Sequence, residues 1–300
     1  MIEPVLPMLA TSAPPFDSSA YVFEVKWDGV RALAAVEGSR WRLWGRELAD
    51  YGGRYPELEV LRRLPSGTVV DGELVMFHGS RADLNAILRR HQMVHPERIR
   101  HASRQKPVRF VLFDILYHQG RPLLQDPFWR RRCILADVLT EIDAPELMFS
   151  EGMVEFGQSF FERMVAEGHE GVMAKHQTSR YLPGRRSAAW KKIKPSHVLP
   201  CVIIGYTPCL EGIHRLLVAS VHQGALRYVA QVASGFSDRL KTDLERRLAQ
   251  RRRPRPVVAC PRQALWVEPG LYCRVRFQQW TPRGRLRGAS FAGMLDDANA

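Results

Sequence analysis

The sequence predicts an α+β chain of two domains: a mixed α/β domain over residues 1–194 and a small β-barrel of the OB type over residues 195–300. Three observations lead there. Short runs of β-branched and aromatic residues alternate with stretches of helical periodicity through the first two thirds of the chain. The last hundred residues read instead as short strands with a single helix, the make-up of a small barrel. Between them, Lys194-Pro195-Ser196-His197-Val198-Leu199-Pro200 carries two prolines, which interrupt both helix and central strand as a linker would.

Each element has its own signal. The alternation of Tyr21-Val22-Phe23-Glu24-Val25 predicts a strand over 22–26, and β-formers followed by Gly or polar turn residues predict others over 32–36, 41–43, 69–77 and 108–116. Pro56 suits a first helical turn, and Leu58, Leu61 and Leu64 follow at helical spacing, so a helix is expected over 55–63. Further helices are expected over 127–139 and 160–167. Beyond residue 200, strands are predicted over 202–206, 216–222, 226–232 and 272–280, with one helix over 237–247.

Composition narrows the function. The net charge is +13 and the pI about 10.0, on an ordinary 45% hydrophobic and 25% charged background. Such an excess favours a polyanionic partner, nucleic acid or an anionic membrane surface. No run of about 18 apolar residues is present to span a bilayer. The first residues carry no basic and apolar leader pattern, so no secretion signal is visible. Five cysteines form no C-x-x-C pair and read as reduced thiols of a cytosolic protein. From Cys201 to Ala300 there are sixteen Lys and Arg against seven Asp and Glu, a surplus of nine. The first two hundred residues have a surplus of only four.

The chemistry begins at Lys26-Trp27-Asp28-Gly29, which follows the first predicted strand. A free lysine has a pKa of about 10.4 and is almost entirely protonated at neutral pH. Neighbouring cations or a metal can lower that value and make the amine nucleophilic. Gly29 is expected to let the backbone approach a ligand closely. Arg31 carries a fork able to bind two phosphate oxygens. Alone, such a tetrad also fits a surface lysine beside a turn aspartate. It gains weight from an ordered series downstream: Arg46, Asp71-Gly72-Glu73, Phe113-Asp114, Glu170-Gly171 and Trp190-Lys191-Lys192-Ile193-Lys194. Lys192 and Lys194, two apart on a strand, are expected to share a face and hold one phosphate together.

This series resembles the covalent nucleotidyltransferase superfamily, most closely the ATP-dependent DNA ligases of compact bacterial, end-joining type. Lys26-Trp27-Asp28-Gly29-Val30-Arg31 looks like the nucleotide-accepting motif. Trp44-Gly45-Arg46 is similar to the motif whose arginine contacts nucleotide phosphate or the nicked strand. Val70-Asp71-Gly72-Glu73-Leu74 resembles the segment whose glutamate reaches ribose or metal. Phe110-Val111-Leu112-Phe113-Asp114 resembles the adenine-stacking segment, Glu170-Gly171-Val172-Met173-Ala174-Lys175 the metal-glutamate motif, and Trp190-Lys191-Lys192-Ile193-Lys194-Pro195 the α-phosphate lysine pair. The opening Pro7-Met8-Leu9-Ala10 and the terminal Trp280-Thr281-Pro282-Arg283-Gly284-Arg285-Leu286-Arg287 extend the likeness over nearly the whole chain. Two departures stand out. Lys26 lies too near the start for an N-terminal DNA-binding domain, and the C-terminal Arg-x-Asp-Lys element is missing. Arg283, Arg285 and Arg287 are candidates for its pyrophosphate-orienting cation.

The resemblance implies an adenylation domain of nucleotidyltransferase, ATP-grasp-like type followed by an OB-fold domain. Lys26 would attack the α-phosphate of ATP, AMP would move to a 5′-phosphate at a nick, and the 3′-hydroxyl would then displace it. Expected nucleotide contacts are Glu24, Lys26, Arg31, Arg46, Glu73, Phe113, Lys192 and Lys194. Glu73 and Glu170 would hold Mg²⁺ or Mn²⁺. Nicked duplex DNA and end-joining or repair proteins would be the partners of a cytoplasmic, nucleoid-associated monomer with no membrane attachment. An RNA ligase, an mRNA-capping guanylyltransferase or a non-catalytic nucleic-acid-binding protein are the competing readings. Two lesser features are noted. His91 and His95 have i, i+4 spacing but no third ligand, so no zinc site is expected. Arg251-Arg252-Arg253-Pro254-Arg255 reads as a solvated loop or a DNA contact.

Overall fold

The computed structural model describes residues 3–79, 81–210, 212–222, 224–281 and 283–295, with only the backbone of His222. The chain divides into two compact units, Met1–Lys194 and Pro195–Ala300.

The first unit is built on two sheets. One has the strand order Leu9–Ser12, Arg186–Ile193, Val172–His176, Ser18–Val25, Gly152–Glu155. The other runs Leu147–Phe149, Arg109–His118, Thr68–Val75, Val30–Glu37, Arg40–Trp44, with Arg121–Pro122 beside Arg109–His118. Both are antiparallel apart from one parallel pair each, Leu9–Ser12 with Arg186–Ile193 and Leu147–Phe149 with Arg109–His118. Ser18–Val25 and Val30–Glu37 belong to different sheets. The four residues Lys26-Trp27-Asp28-Gly29 are therefore the crossover between them.

Period-two alternation sorts the side chains into layers. Phe23 and Val25 pack outward with Phe160 and Met164 of the helix Gly157–Ala166, whereas Glu24 between them faces the other sheet. Ala32, Ala34 and Val36 join the outer core of the second sheet under Leu58, Leu61, Ile87 and Leu135. Leu33 and Ala35 meet Met8, Phe113, Tyr181 and Trp190 in the core between the sheets. A buried ion pair pins the helix Phe128–Ile142 to this stack: Arg131 donates to Asp114 through Nε at 2.7 Å and Nη2 at 2.8 Å. Its remaining Nη1 donates to the carbonyls of Asp126 and Ser179, so the buried charge is fully hydrogen-bonded.

In the second unit the long strand His197–Cys209 pairs with Gly212–His222 on one side and with Leu265–Val267 and Tyr272–Phe277 on the other. Ala225–Val232 and Ser290–Leu295 extend the sheet, and Leu244 and Leu248 of the helix Asp238–Ala249 pack on it. Ser237 caps that helix, accepting from the Leu240 amide at 3.3 Å. Among the described residues no pairing closes this sheet into a barrel.

Several expectations change. The helix over 55–63 is a 3-10 helix, Pro56–Arg63. Two helices, Leu84–His91 and Pro96–Gln105, go beyond the expected set. They hid because each buries so little, Ala86, Ile87 and Arg90 in the first and Ile99 in the second. His91 ends the first and lies 2.8 Å from the Tyr55 hydroxyl, while His95 caps the second, so the two histidines share no helix face. Pro200 lies inside a strand rather than in a linker. It stands opposite Arg274 on a stretch with one strand neighbour, where a missing N–H costs no pairing. Arg252–Arg253 is a short strand against Leu265–Val267, with Arg252 on the Tyr206 hydroxyl and Arg253 on Glu268.

Gly29 is needed for packing. A Cβ there would stand 2.2 Å from the Leu74 carbonyl oxygen and 2.9 Å from Cγ of Glu73. The carbonyl is fixed by pairing of Val30–Glu37 with Thr68–Val75. Gly29→Ala is expected to destabilise the first unit by about 1–3 kcal/mol through overpacking. Urea unfolding followed by tryptophan fluorescence checks this, and an unchanged midpoint would refute it.

Candidate active site

A cleft opens between the two sheets of the first unit, and the crossover lies on its wall. Glu24, Lys26, Arg31, Arg46, Glu73, Phe113 and Lys192 all line it, although they lie up to 168 positions apart in the chain. Glu170 and Lys194 reach it through Lys26. The Lys26 ammonium contacts Glu170 Oε2 and the Lys194 ammonium contacts Glu170 Oε1. All three side chains are only 20–25% exposed.

Sheet register builds this cluster. Val172 stands opposite Val25 on one side and Ile193 on the other, so the next positions bring Lys26, Gly171 and Lys194 together. The Lys26 amide also donates to the Gly171 carbonyl at 2.9 Å. Gly171 has φ +140°, and a Cβ there would lie 2.1 Å from the Ile193 carbonyl oxygen, so only glycine fits the turn that presents Glu170. Burial pushes the Glu170 carboxyl up, but Lys26 and Lys194 outweigh it and hold it below the ordinary glutamate value.

The inner end of the cleft is an aromatic and ionic box. Phe113 is buried, with the Arg31 guanidinium 4.6 Å and the Lys175 ammonium 4.0 Å from its ring centre. Trp190 meets it edge-on at 6.3 Å. Glu24 is buried and held on both oxygens, by Arg132 at 2.6 Å and Lys175 at 2.7 Å. Arg31 turns its fork onto Asp71, Nε and Nη2 each at 2.6 Å. In this state its bidentate face is taken, and Nη1 remains for a ligand. Tyr181 donates to the same carboxylate at 2.6 Å. Arg46 is exposed on a tight turn, where Gly45 packs directly on the Tyr51 hydroxyl. Lys192 points into the cleft, and Lys194 contacts Glu170. Burial, then the charges of Arg186, Lys194, Lys26 and Arg46, hold Lys192 below the ordinary lysine value.

Met173, Lys175, Arg186 and Trp190 also line the cleft, and Arg132 supports it, yet the motif reading gave none of them a role. Alternation was the available signal. Met173 and Lys175 lie on one face of Val172–His176, and Arg186, Trp190 and Lys192 are all even-numbered positions of one strand.

The donor set suits a divalent cation. Glu73 and Glu170 offer hard carboxylate oxygens; a cation on Glu170 would displace one of the two lysine ammoniums it now holds. The Glu73 carboxyl has no ion-pair partner among the described residues, and burial pushes it up to about 7 against the pull of Arg31, Lys26 and Arg46. No group of three or more His, Cys, Asp or Glu forms a complete cage among the described residues. Nucleotide phosphates and water would have to complete the shell, as Mg²⁺ commonly allows.

The architecture is shared with known ligases. Structures of Lig E DNA ligases superpose with TM-score 0.64 over 98% of this chain and 100% of theirs, at 18% identity, a likeness of fold alone. Mycobacterial DNA ligase D complexed with ATP and MES is 31% identical, with TM-score 0.55 over 98% of this chain and 96% of that one. Residues 7–194 match the ATP dependent DNA ligase domain and residues 211–298 the ATP dependent DNA ligase C terminal region. The chain belongs to the ATP-dependent DNA ligase family. The multifunctional non-homologous end joining protein LigD of Mycobacterium bovis is 33% identical over 97% of this chain and 38% of its own length. A DNA ligase of Methanothermobacter thermautotrophicus is 31% identical over 82% of this chain and 47% of its own. The chain thus spans less than half the length of these relatives.

Glu73 gives a pH signature. Its folded-state carboxyl binds a proton more tightly than the ordinary value of 4.5, so its contribution to stability is full below about pH 4.5 and lost as pH rises through about 7. Glu73→Gln removes this dependence. The variant's melting temperature is expected to gain on the parent's between about pH 5 and about pH 8, and a constant difference across that range would contradict the assignment.

Proposed function

We propose that this chain is a DNA ligase that seals nicks in duplex DNA through a lysyl-AMP formed on Lys26, in end joining or repair. The observation that carries the reading is the position of Lys26. It stands on the wall of a cleft with Glu24, Arg31, Arg46, Glu73, Phe113 and Lys192, its amine held against an ionised carboxylate.

In the first step the Lys26 amine, after giving up a proton to solvent water, attacks the α-phosphorus of ATP. A P–N bond forms, the bond to the bridging oxygen breaks, and pyrophosphate leaves with the electron pair. Glu170 holds the amine in place before reaction, and Lys194 keeps that carboxylate charged. Phe113 serves as the platform for the base, and Glu24 lies beside it at the inner end of the cleft. Arg31 contributes Nη1, and Arg46 and Lys192 supply positive charge toward the phosphates. Mg²⁺ or Mn²⁺, held by Glu73 and Glu170, would supply neutralisation of phosphate charge when bound.

In the later steps AMP passes to the 5′-phosphate of a nick and is displaced by the 3′-hydroxyl. The second unit, with its surplus of nine positive charges, is the natural carrier of duplex affinity. The two-domain match to the family and the relative solved with ATP support ATP as the nucleotide. No helix among the described residues is long and apolar enough to cross a membrane. We take the chain as a monomer acting on DNA, with end-joining or repair proteins as its further partners.

Incubation with α-labelled ATP and, separately, α-labelled GTP followed by denaturing electrophoresis tests the reading. Label from ATP alone is expected, on Lys26 by mass spectrometry. Lys26→Arg is expected to take none, because arginine stays protonated. Label from GTP would favour a capping enzyme, and AMP on any other lysine would overturn the assignment of the nucleophile.

A further inference from the structure

Six cations line the cleft, and they fall into two groups. Lys26, Arg31 and Lys175 are each paired with a carboxylate, Glu170, Asp71 and Glu24 respectively. Arg46, Arg186 and Lys192 have no carboxylate partner among the described residues. Unpaired cations converging on one opening make an anion site, because each gains more from a bound anion than one already neutralised.

Arg186 is the member that no motif supplied. It opens the strand Arg186–Ile193, and by alternation its side chain shares the cleft face with Trp190 and Lys192. One guanidinium nitrogen, Nη1, donates to the Ala10 carbonyl at 2.5 Å, which fixes the group at the rim and leaves the rest of the fork to solvent. It is also the foremost charge acting on Lys192. Two like charges share the cleft, and neither has a carboxylate partner among the described residues.

We infer that Arg186, with Arg46 and Lys192, binds the pyrophosphate that leaves when Lys26 is adenylylated. The inference rests on the reading of Lys26 as the nucleophile. The charge balance favours this occupant. The reacting α-phosphate meets the Lys26–Glu170–Lys194 cluster, which brings its own carboxylate, whereas pyrophosphate is the more highly charged group and needs cations that are free. It also places that function within the first unit, independent of the missing C-terminal Arg-x-Asp-Lys element. A 5′-phosphate at a nick has related chemistry and is the rival occupant.

The reverse reaction separates the two. Full-length protein carrying labelled AMP on Lys26 is mixed with inorganic pyrophosphate, which attacks the phosphorus, breaks the P–N bond and releases labelled ATP. Arg186→Ala is expected to raise the half-saturating pyrophosphate concentration about 10- to 100-fold, the loss of a charge-assisted contact. Arg186→Lys should recover part of it, since charge returns without the fork. In a second arm, both variants seal a pre-adenylylated nick, a step without pyrophosphate, and the loss there is expected to be clearly smaller. Half-saturation within about twofold of the parent, or an equal or larger loss in the nick arm, would overturn the inference. A parent protein that takes no AMP at all would instead overturn the reading of Lys26 beneath it.

Discussion

Everything proposed for this chain depends on one carboxylate. Glu170 accepts Lys26 on one oxygen and Lys194 on the other, and these three residues come from the ends of three neighbouring strands. The register that sets Val172 between Val25 and Ile193 brings them together, and the cramped glycine at 171 fixes the direction in which Glu170 points. A slip of one residue would turn the ladder's side chains to the opposite face and scatter the cluster. The pairing also lies where the chain leaves one sheet for the other, so positioning of the amine and of the crossover are a single structural event.

Around that cluster the cleft divides into zones by charge. The inner end is dry and fully paired: Glu24 between two cations, Arg31 on Asp71, Lys175 over Phe113. Such pairs are costly to break and leave their members little freedom, which suits a pocket of fixed shape. The rim is half solvated and keeps a positive surplus in Arg46, Arg186 and Lys192. Glu73 is raised toward neutrality by burial, against the pull of Arg31, Lys26 and Arg46.

Much of this was legible in the sequence, and the reasons differ by residue. Lys26, Arg46, Glu73, Phe113 and Lys192 belong to short motifs whose order survives in the chain, so their gathering at one cleft followed from the family likeness. Strands such as Val30–Glu37 and Arg109–His118 declare themselves because they are buried on both faces and are mostly apolar. What escaped depends on tertiary partners. Arg31 has the chemistry of a phosphate clamp, but its fork meets Asp71, 40 residues away, and no local pattern states that. Gly29 also answers a packing demand that no local pattern states, since a Cβ there would meet the Leu74 carbonyl of a neighbouring strand. Lys194 shares a strand spacing with Lys192, but its contact with Glu170 of another element is stated by no local pattern. Pro200 reads as a breaker until the neighbouring strand is known to begin two residues later.

The most direct test of the bridging carboxylate is the rate of AMP transfer to Lys26 in Glu170→Gln at saturating ATP, measured in a single turnover beside the melting temperature. Glutamine keeps the size of the side chain and removes the charge that holds both lysines. The account predicts a rate at least about 100-fold lower, with a melting temperature close to the parent's, since a half-buried ion pair at a cleft adds little net stability. A variant that takes AMP at nearly the parental rate would contradict it, because Lys26 would then need no carboxylate to hold it in place.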